Sequence, residues 1–223
     1  MFKFIFFIAI ALNGVSHGAN ETETEWSESS NKDDIATYYR KIPGSPVYAL
    51  KGNGNFNIPL WKLASVLLDS TRGTEWIDSL VETKMLKRLN PFSYIEYNHI
   101  RTPFVLKDRE FVTQINIQIN EEKKTFEMTY QPGPQDLYPE TKNVRGEIVY
   151  GRLALTSLES GKSSRIEGEL HCDPKGAVPK WIVNLFQKGW PRKTLEGVRK
   201  QALKPDIALP EEFKEILEKT VSF

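Results

Sequence analysis

The chain of 223 residues carries 30 basic and 29 acidic side chains, and neither sign forms a long block beyond an acidic stretch near the amino terminus. This balance leaves no electrostatic footprint for nucleic acid, which is therefore excluded as a partner. Cys172 is the only cysteine, so an intramolecular disulfide is impossible. We expect its thiol to be buried and unreactive.

The first eighteen residues have the features of a signal peptide. A basic residue precedes an apolar run, residues 4–12, that is too short to span a bilayer. Ser16 and Gly18 form a small-x-small pattern, so we expect cleavage after Gly18 or, as a second choice, after Ala19. The chain is therefore expected to be secreted or periplasmic, and an uncleaved amino-terminal anchor is the alternative.

The remaining sequence divides into three parts. Residues 19–32 are polar and acidic with almost nothing to bury, which predicts a flexible leader. Residues 33–204 are enough chain for one domain with a sizeable core. Residues 205–223 form a tail, in which Glu211 to Thr220 has the pattern of a small amphipathic helix.

Several segments alternate apolar and polar residues with period two, the pattern of a sheet with one buried face. The predicted strands cover residues 35–39, 47–51, 81–89, 93–100, 111–120, 126–130, 144–155 and 166–172. The last four strands form two antiparallel hairpins, and a change of phase near Gly151 suggests a bulge. Gly52-Asn53-Gly54 is assigned to a turn. The pattern predicts about eight or nine strands.

Helical periodicity follows in two regions. Residues 60–68 repeat apolar side chains at intervals of three and four, and a shorter helix is expected over residues 69–77. The stronger signal runs from Val178 to about Gln201, where Pro191 should kink one long helix. Strands followed by a long terminal helix predict an α+β fold in which the helix covers the sheet.

Four sequence blocks resemble the START (steroidogenic acute regulatory protein-related lipid transfer) domain family, which includes the phosphatidylcholine transfer protein. The blocks are Leu67-Leu68-Asp69 with Glu75-Trp76, Pro103 with Lys107 to Val112, Val144-Arg145-Gly146, and Asp173 to Gly176 with Pro179 to Asn184. The resemblance implies a helix-grip fold, a curved antiparallel sheet wrapped on a long carboxyl-terminal helix around a ligand tunnel. It also implies binding of one phospholipid or sterol without chemical change, with the terminal helix as a lid.

Nine residues are predicted to contact the ligand. They are Arg109, Phe111, Tyr97, Asn98, Tyr130, Tyr150, Ile182, Phe186 and Trp190. Arg109 is the candidate anchor, because a guanidinium suits a phosphate or carboxylate, and a salt bridge with Asp108 is the alternative. The tyrosines either direct a phenolic donor at a headgroup or belong to the core. The helix aromatics either pack on the sheet or contact a membrane transiently.

The sequence has no G-x-S-x-G elbow, no histidine pair at metal-ligand spacing and no glycine-rich phosphate loop. We therefore expect no catalytic residue, no metal and no cofactor, and a monomeric protein. Two alternatives stay open. One is a helix-grip-superfamily enzyme that uses Arg109, His99 or Tyr97 for acid-base chemistry. The other is a protein-interaction module whose cavity has closed.

Overall fold

The computed structural model describes residues 25–102 and 106–221, and the predicted signal peptide lies outside these ranges. The described residues form ten strands and four α-helices. The strands are β1 (Ser27–Lys32), β2 (Ile35–Arg40), β3 (Ala49–Phe56), β4 (Leu80–Asn90), β5 (Ser93–Ile100), β6 (Arg109–Asn120), β7 (Thr125–Pro132), β8 (Val144–Arg145), β9 (Glu147–Leu158) and β10 (Ser163–Asp173). The helices are α1 (Leu60–Leu68), α2 (Lys180–Gln187), α3 (Trp190–Ala202) and α4 (Glu211–Val221), with 3₁₀ turns at Ser70–Glu75, Gln135–Leu137 and Glu159–Gly161.

All ten strands belong to one sheet. Its order is β1-β2-β3-β10-β9-β7-β6-β5-β4, and these neighbours are all antiparallel. The short strand β8 pairs in parallel with β6. Both predicted hairpins are present, since β6 pairs with β7 and β9 pairs with β10. The fold is α+β, as the two periodicities predicted.

The main core joins the sheet to three of the helices. Leu63 of α1, Leu195 of α3 and Leu217 of α4 are each at most 1% exposed. They belong to the same apolar cluster as Phe126 of β7. Fully burying a leucine side chain contributes roughly 1.5–3 kcal/mol, so these three helices are held to the sheet mainly by apolar packing.

The domain extends beyond both predicted boundaries. Residues 27–32, assigned above to the flexible leader, form the edge strand β1 and pair with β2. Most side chains of β1 are exposed, so the strand lacks the alternation that reveals a half-buried strand. Helix α4 confirms the predicted amphipathic helix of the tail. Its Phe213 and Leu217 are buried in the main core, so the domain does not end at residue 204.

The predicted turn at Gly52-Asn53-Gly54 is wrong, because these residues lie within β3. Gly52 faces α3, where an added Cβ would lie 2.9 Å from the Cβ of Pro191 and 3.2 Å from Cδ1 of Leu195. A side chain here would push α3 away from the sheet. The glycine that suggested a turn instead permits close packing of helix on strand.

The predicted long terminal helix is divided in two. Helix α2 ends at Gln187 and α3 begins at Trp190, with Lys188 and Gly189 between them. Pro191 lies in the first turn of α3, where a missing backbone N–H costs no helical hydrogen bond. The proline therefore starts a second helix and does not kink a continuous one.

Candidate ligand cavity

A cavity of about 710 Å³ lies between the sheet and the two helices α2 and α3. Its lining is mostly apolar and includes Ile115, Met128, Leu153, Leu170 and Val183. Small-molecule sites in proteins usually measure ~300–1,000 Å³ and have the same apolar character. The side chains of the chain thus leave room for a guest, which contradicts the closed-cavity alternative.

Seven of the nine predicted contact residues border this cavity. They are Asn98, Arg109, Phe111, Tyr130, Ile182, Phe186 and Trp190. They come from β5, β6, β7, α2 and α3, so the fold brings together residues that are almost a hundred positions apart in sequence. Contact of these seven with a ligand stays a prediction.

Tyr97 and Tyr150 lie outside the cavity, so their assignment as lining residues was wrong. Tyr97 stacks on Tyr138 with 3.8 Å between ring centroids, and its hydroxyl donates to Oε2 of Glu110 at 3.1 Å. Neighbouring residues of a strand point to opposite faces, so Tyr97 and Asn98 cannot both face inward.

The phase of β9 changes at a bulge, which turns Tyr150 outward. His171 pairs with Tyr150 and Cys172 pairs with Ile148, so Val149 is the extra residue. The Tyr150 hydroxyl donates to Oε1 of Glu169 at 2.8 Å. The bulge lies two residues before Gly151, close to where the sequence pattern placed it.

Arg109 borders the cavity, but its guanidinium is bound to backbone. Nε donates to the carbonyl oxygen of Pro174 at 3.2 Å and Nη2 to that of Lys175 at 3.3 Å, while Nη1 donates to the carbonyl of Lys107. Burial lowers the pKa of Arg109. The predicted headgroup anchor thus fixes the loop that leads into α2.

Asp108 does not form the alternative salt bridge with Arg109, because its carboxylate pairs with His99. Oδ2 of Asp108 lies 2.9 Å from Nε2 of His99, and its Oδ1 accepts a hydrogen bond from the backbone N–H of Thr102 at 2.9 Å. This backbone hydrogen bond is the main cause that holds the pKa of Asp108 below its usual value. His99 is therefore a satisfied histidine at the end of β5.

A buried acid in the cavity was missed by the sequence analysis. Glu96 lies on the same face of β5 as Asn98 and is 7% exposed. Its Oε1 accepts a hydrogen bond from Nδ2 of Asn98 at 2.8 Å. Burial raises the pKa of Glu96, although the hydrogen-bonding groups of Asn98, Thr83 and Ser70 oppose this rise. Strand alternation counted back from Asn98 would have found this residue.

Cys172 also borders the cavity and is free. Burial raises the pKa of its thiol to about 12, so almost none of it is ionised at neutral pH. The expectation that this thiol is buried is confirmed, and its low reactivity stays a prediction. Within the described residues, no group of three or more histidine, cysteine, aspartate and glutamate side chains could hold a metal ion.

Helix α2 covers one side of the cavity, but little of its surface is buried against the rest of the protein. Only Val183 is buried among its residues, whereas Trp181 is 69% and Leu185 is 62% exposed. Asn184 ties the helix to the chain before β3, because its Oδ1 accepts from the N–H of Tyr48 at 3.0 Å and its Nδ2 donates to the carbonyl oxygen of Pro46 at 3.2 Å. In the part of the chain that the structure covers, no helix is long and apolar enough to cross a membrane.

The chain is similar to known proteins in sequence and in structure. Mouse START domain-containing protein 10 is 26% identical over 186 residues, a match that covers 82% of this chain and 63% of that longer protein. The crystal structure of human STARD10 superposes with a TM-score of 0.73 at 22% identity, covering 86% of this chain and 77% of that one. A STAR-related lipid transfer protein from Xanthomonas axonopodis superposes with a TM-score of 0.69 at 20% identity, covering 80% and 99%.

The family assignment follows from the sequence itself. The sequence profile of the START domain matches residues 9–195, which is most of the chain. The sheet order, the terminal helices and the apolar cavity agree with the helix-grip architecture that the four sequence blocks implied. The chain therefore belongs to the START domain family.

Proposed function

We propose that this protein binds a single lipid-like molecule in the 710 Å³ cavity and carries or senses it without altering it. The unfilled apolar interior is the observation that carries the proposal, because a dry apolar cavity favours an apolar guest. Each methylene group moved from water into such an interior contributes about 0.8 kcal/mol. The similar protein from Xanthomonas axonopodis is a lipid transfer protein by name, which supports the same class of ligand.

Helix α2 is the proposed gate. It contributes Ile182, Val183 and Phe186 to the cavity wall, so its displacement would open the interior. Lys188 and Gly189 separate it from α3, which gives α2 a hinge. Lids of this kind commonly turn about a few residues at the end of an element.

The exposed face of α2 is the proposed site of transient membrane contact. Trp181, Leu185 and Phe186 are large apolar side chains that are about half exposed or more. Such side chains enter a membrane interface readily when they lie on a short amphipathic helix. A gate that contacts the membrane would pass the ligand without exposing it to water. We propose that the protein acts as a monomer outside the cytoplasm, in line with the predicted signal peptide.

The geometry supports none of the three candidate residues of the enzyme alternative. Tyr97 points away from the cavity towards Glu110, and His99 is engaged with Asp108. Arg109 borders the cavity, but three backbone carbonyls occupy its guanidinium. None of the three is positioned for proton transfer to a molecule in the cavity.

Lipid occupancy is tested by extracting the purified protein and by native mass spectrometry before and after extraction. We expect one bound lipid per chain in the wild-type protein. Leu170→Trp should lower this occupancy, because Leu170 borders the cavity and a larger side chain fills it. Leu203→Trp makes the same change at a side chain that is 65% exposed and should leave occupancy unchanged. A wild-type protein that never holds or takes up lipid would refute the proposal.

Membrane contact is tested by sedimentation with lipid vesicles. The double variant Trp181→Ser, Leu185→Ser should bind vesicles less than the wild-type protein and transfer lipid between them more slowly. Met85→Ser, Leu89→Ser removes exposed apolar side chains from β4 instead, and it should behave like the wild type. Equal losses in both double variants would remove α2 as the contact site.

A further inference from the structure

The segment that contains the proposed gate carries charge of one sign. Residues 174–195 run from the loop before α2 into α3 and contain no aspartate or glutamate. The segment has five basic side chains, which are Lys175, Lys180, Lys188, Arg192 and Lys193. A short amphipathic helix with exposed apolar side chains and basic neighbours favours a negatively charged lipid surface. The composition of the segment therefore agrees with a membrane of that charge.

Four of these five side chains are engaged by polar groups of the protein. Three of them form salt bridges, and the pairs are Lys175 with Glu147 at 3.0 Å, Lys180 with Asp173 at 3.3 Å and Lys193 with Asp78 at 2.9 Å. Nη1 of Arg192 donates to the carbonyl oxygen of Lys32 at 2.7 Å and Nη2 to that of Ile35 at 2.9 Å. Within residues 25–102 and 106–221, neither a carboxylate nor a carbonyl oxygen pairs with the ammonium group of Lys188.

Lys188 lies instead over two tyrosine rings. Its Nζ is 4.0 Å from the ring centroid of Tyr39 and 5.7 Å from that of Tyr48. The two rings are 5.3 Å apart and inclined to one another by 31°, so they form two walls of a partial cage. A cation within about 6 Å of a ring centroid is attracted by the negative face of the ring. Tyr39 belongs to β2 and Tyr48 precedes β3, so this contact, here called the Lys188 latch, ties a helix linker to the sheet.

The Lys188 latch lies at the proposed hinge. Lys188 and Gly189 are the two residues between α2 and α3, so a turn of α2 about this linker would move the ammonium group away from the rings. Tyr48 also holds α2 through its backbone N–H, which donates to Oδ1 of Asn184 at 3.0 Å. A cation on an aromatic ring and a lysine at an anionic lipid surface gain similar free energies. Such a surface can therefore replace the two rings as the partner of Lys188.

We propose that an anionic phospholipid surface is the partner of α2, and that it releases the gate by drawing Lys188 away from Tyr39 and Tyr48. The inference rests on the proposed gating of the cavity by α2. Trp181 and Leu185 are exposed on the same helix and enter the lipid interface as the latch opens. A neutral lipid surface offers Lys188 no anionic partner, so the latch stays closed there. The charge of the membrane thus decides where the cavity opens.

Cys172 provides a reporter for the opening of α2. It is the only cysteine of the chain, it is buried, and it borders the cavity. Its carbonyl oxygen accepts a hydrogen bond from Nε2 of Gln187, at the end of α2. A buried thiol reacts slowly, so displacement of α2 should speed its modification. The rate at which a water-soluble maleimide labels Cys172 therefore measures opening, whether or not the protein holds a lipid.

The probes are vesicles of phosphatidylcholine alone and vesicles of the same lipid mixed with phosphatidylglycerol. The anionic vesicles should speed the labelling of Cys172 in the wild-type protein by roughly fivefold, the effect of one lysine at a charged lipid surface. The neutral vesicles should have little effect. A high salt concentration should remove the difference between the two, because salt screens exposed charges.

Two substitutions remove the latch from its two sides. Without vesicles, Lys188→Met should speed labelling by roughly two- to fivefold, because it keeps the aliphatic stem and loses the cation. Anionic vesicles should then add less than they do in the wild-type protein. Tyr39→Leu should give the same increase without vesicles. Two controls should match the wild type, namely Lys200→Met at an exposed position of α3 and Tyr38→Leu on the opposite face of β2.

Three results would overturn the inference. Unchanged labelling in both Lys188→Met and Tyr39→Leu would show that the contact holds nothing closed. Equal acceleration of the wild-type protein by the two kinds of vesicle would remove charge as the trigger. A full response of Lys188→Met to anionic vesicles would assign the response to other basic residues. A protein that never holds or takes up lipid refutes the proposed function instead, and the labelling rates still decide whether the latch exists.

Discussion

Helices α2 and α3 follow one another in the chain and border the same cavity, yet they are attached to the sheet in different ways. Helix α3 buries six residues, namely Pro191, Thr194, Leu195, Val198, Gln201 and Ala202, and α2 buries only Val183. At its carboxyl end α3 is also tied to Glu75, whose Oε2 accepts from Gln201 at 2.9 Å and from Lys204 at 2.7 Å. Packing therefore makes α3 part of the core, whereas α2 contributes only Val183 to the buried residues.

The attachments of α2 are mostly polar and are spread along the helix. Asn184 bonds to the backbone at Tyr48 and Pro46, and Nε2 of Gln187 donates to the carbonyl oxygen of Cys172 at 3.1 Å. Near its start, Lys180 lies 3.3 Å from Oδ1 of Asp173. The net contribution of one hydrogen bond to stability is only about 0.5–1.5 kcal/mol. A few such bonds therefore hold α2 against the sheet much less firmly than the apolar packing holds α3. The same amphipathic repeat thus contains both a firmly packed helix, α3, and the helix that we propose as the gate, α2.

The largest expected effect is a difference in stability between the same leucine-to-alanine substitution made in α3 and in α2. Leu195→Ala in α3 should lower the free energy of unfolding by about 2–5 kcal/mol, because this side chain is 1% exposed and its removal leaves a cavity in the core. Leu185→Ala in α2 should change it by less than about 0.5 kcal/mol. Urea unfolding followed by circular dichroism measures both values. Similar losses in the two variants would show that α2 is as firmly packed as α3.

The sequence predicted well those features that depend on regular alternation. Both hairpins and the four predicted cavity-lining residues that lie on strands followed from it, because one face of each strand is buried against a common interior. The bulge at Val149 shifts this phase, so Tyr150 was assigned to the wrong face. The apolar repeat also continues across Lys188 and Gly189, so periodicity alone could not reveal the break between the helices.

The sequence could not have shown that Oε2 of Glu96 has no hydrogen-bond partner among the described residues. That property depends on which side chains β4 and β6 place beside it. Arg109 illustrates the same limit, since its backbone partners at Pro174 and Lys175 are more than sixty residues away. Local patterns identify candidates, whereas long-range contacts decide their roles.

A second prediction concerns the buried carboxylate of Glu96, which lies on β5 of the sheet. Glu96→Gln should raise the free energy of unfolding of delipidated protein at neutral pH by roughly 1–2 kcal/mol, because a neutral amide costs less to bury than a carboxylate. The folded-state pKa of Glu96 is raised, so the wild-type protein loses stability as the pH rises from the ordinary value of 4.5 through the raised one. The advantage of the variant should therefore vanish below pH 4.5.

Urea unfolding at a series of pH values measures this difference. Amide exchange in α2 should be the same in both proteins, because the hydrogen-bond partner of Glu96 is Asn98 of β5 and not a residue of that helix. Glu122→Gln in the exposed turn between β6 and β7 provides a control with the same change of charge. A stability difference that persists unchanged at low pH would mean that burial of the charge is not its cause.

The third prediction concerns a substitution that should loosen α2 and leave α3 unchanged. Asn184→Ala removes two hydrogen bonds between α2 and the chain before β3. The loss of about 1 kcal/mol should speed hydrogen exchange of α2 amides by roughly five- to tenfold, while α3 amides exchange as before. Hydrogen exchange followed by mass spectrometry resolves the two helices. Faster exchange in both would mean that they open together as one unit.

The smallest effect concerns the amino-terminal attachment of α2. Burial by itself would raise the pKa of Asp173, but hydrogen bonds from the backbone N–H of Lys175 and from the Lys175 and Lys180 side chains outweigh it and lower this pKa. An acid whose pKa is lowered in the folded protein stabilises it above the ordinary value of 3.8, and the contribution is lost as the pH falls through the lowered value. An exposed ion pair contributes at most about 1 kcal/mol, so the change is modest.

At neutral pH, Asp173→Asn should therefore speed exchange in α2 by up to roughly threefold, less than Asn184→Ala does. After correction for intrinsic exchange rates, acidification through the lowered pKa should loosen α2 in the wild-type protein and have less effect in the variant. Asp136→Asn removes an exposed aspartate outside this attachment and should leave exchange in α2 unchanged. If acid loosens α3 to the same extent, the two helices share one attachment, and the distinction between anchor and gate fails.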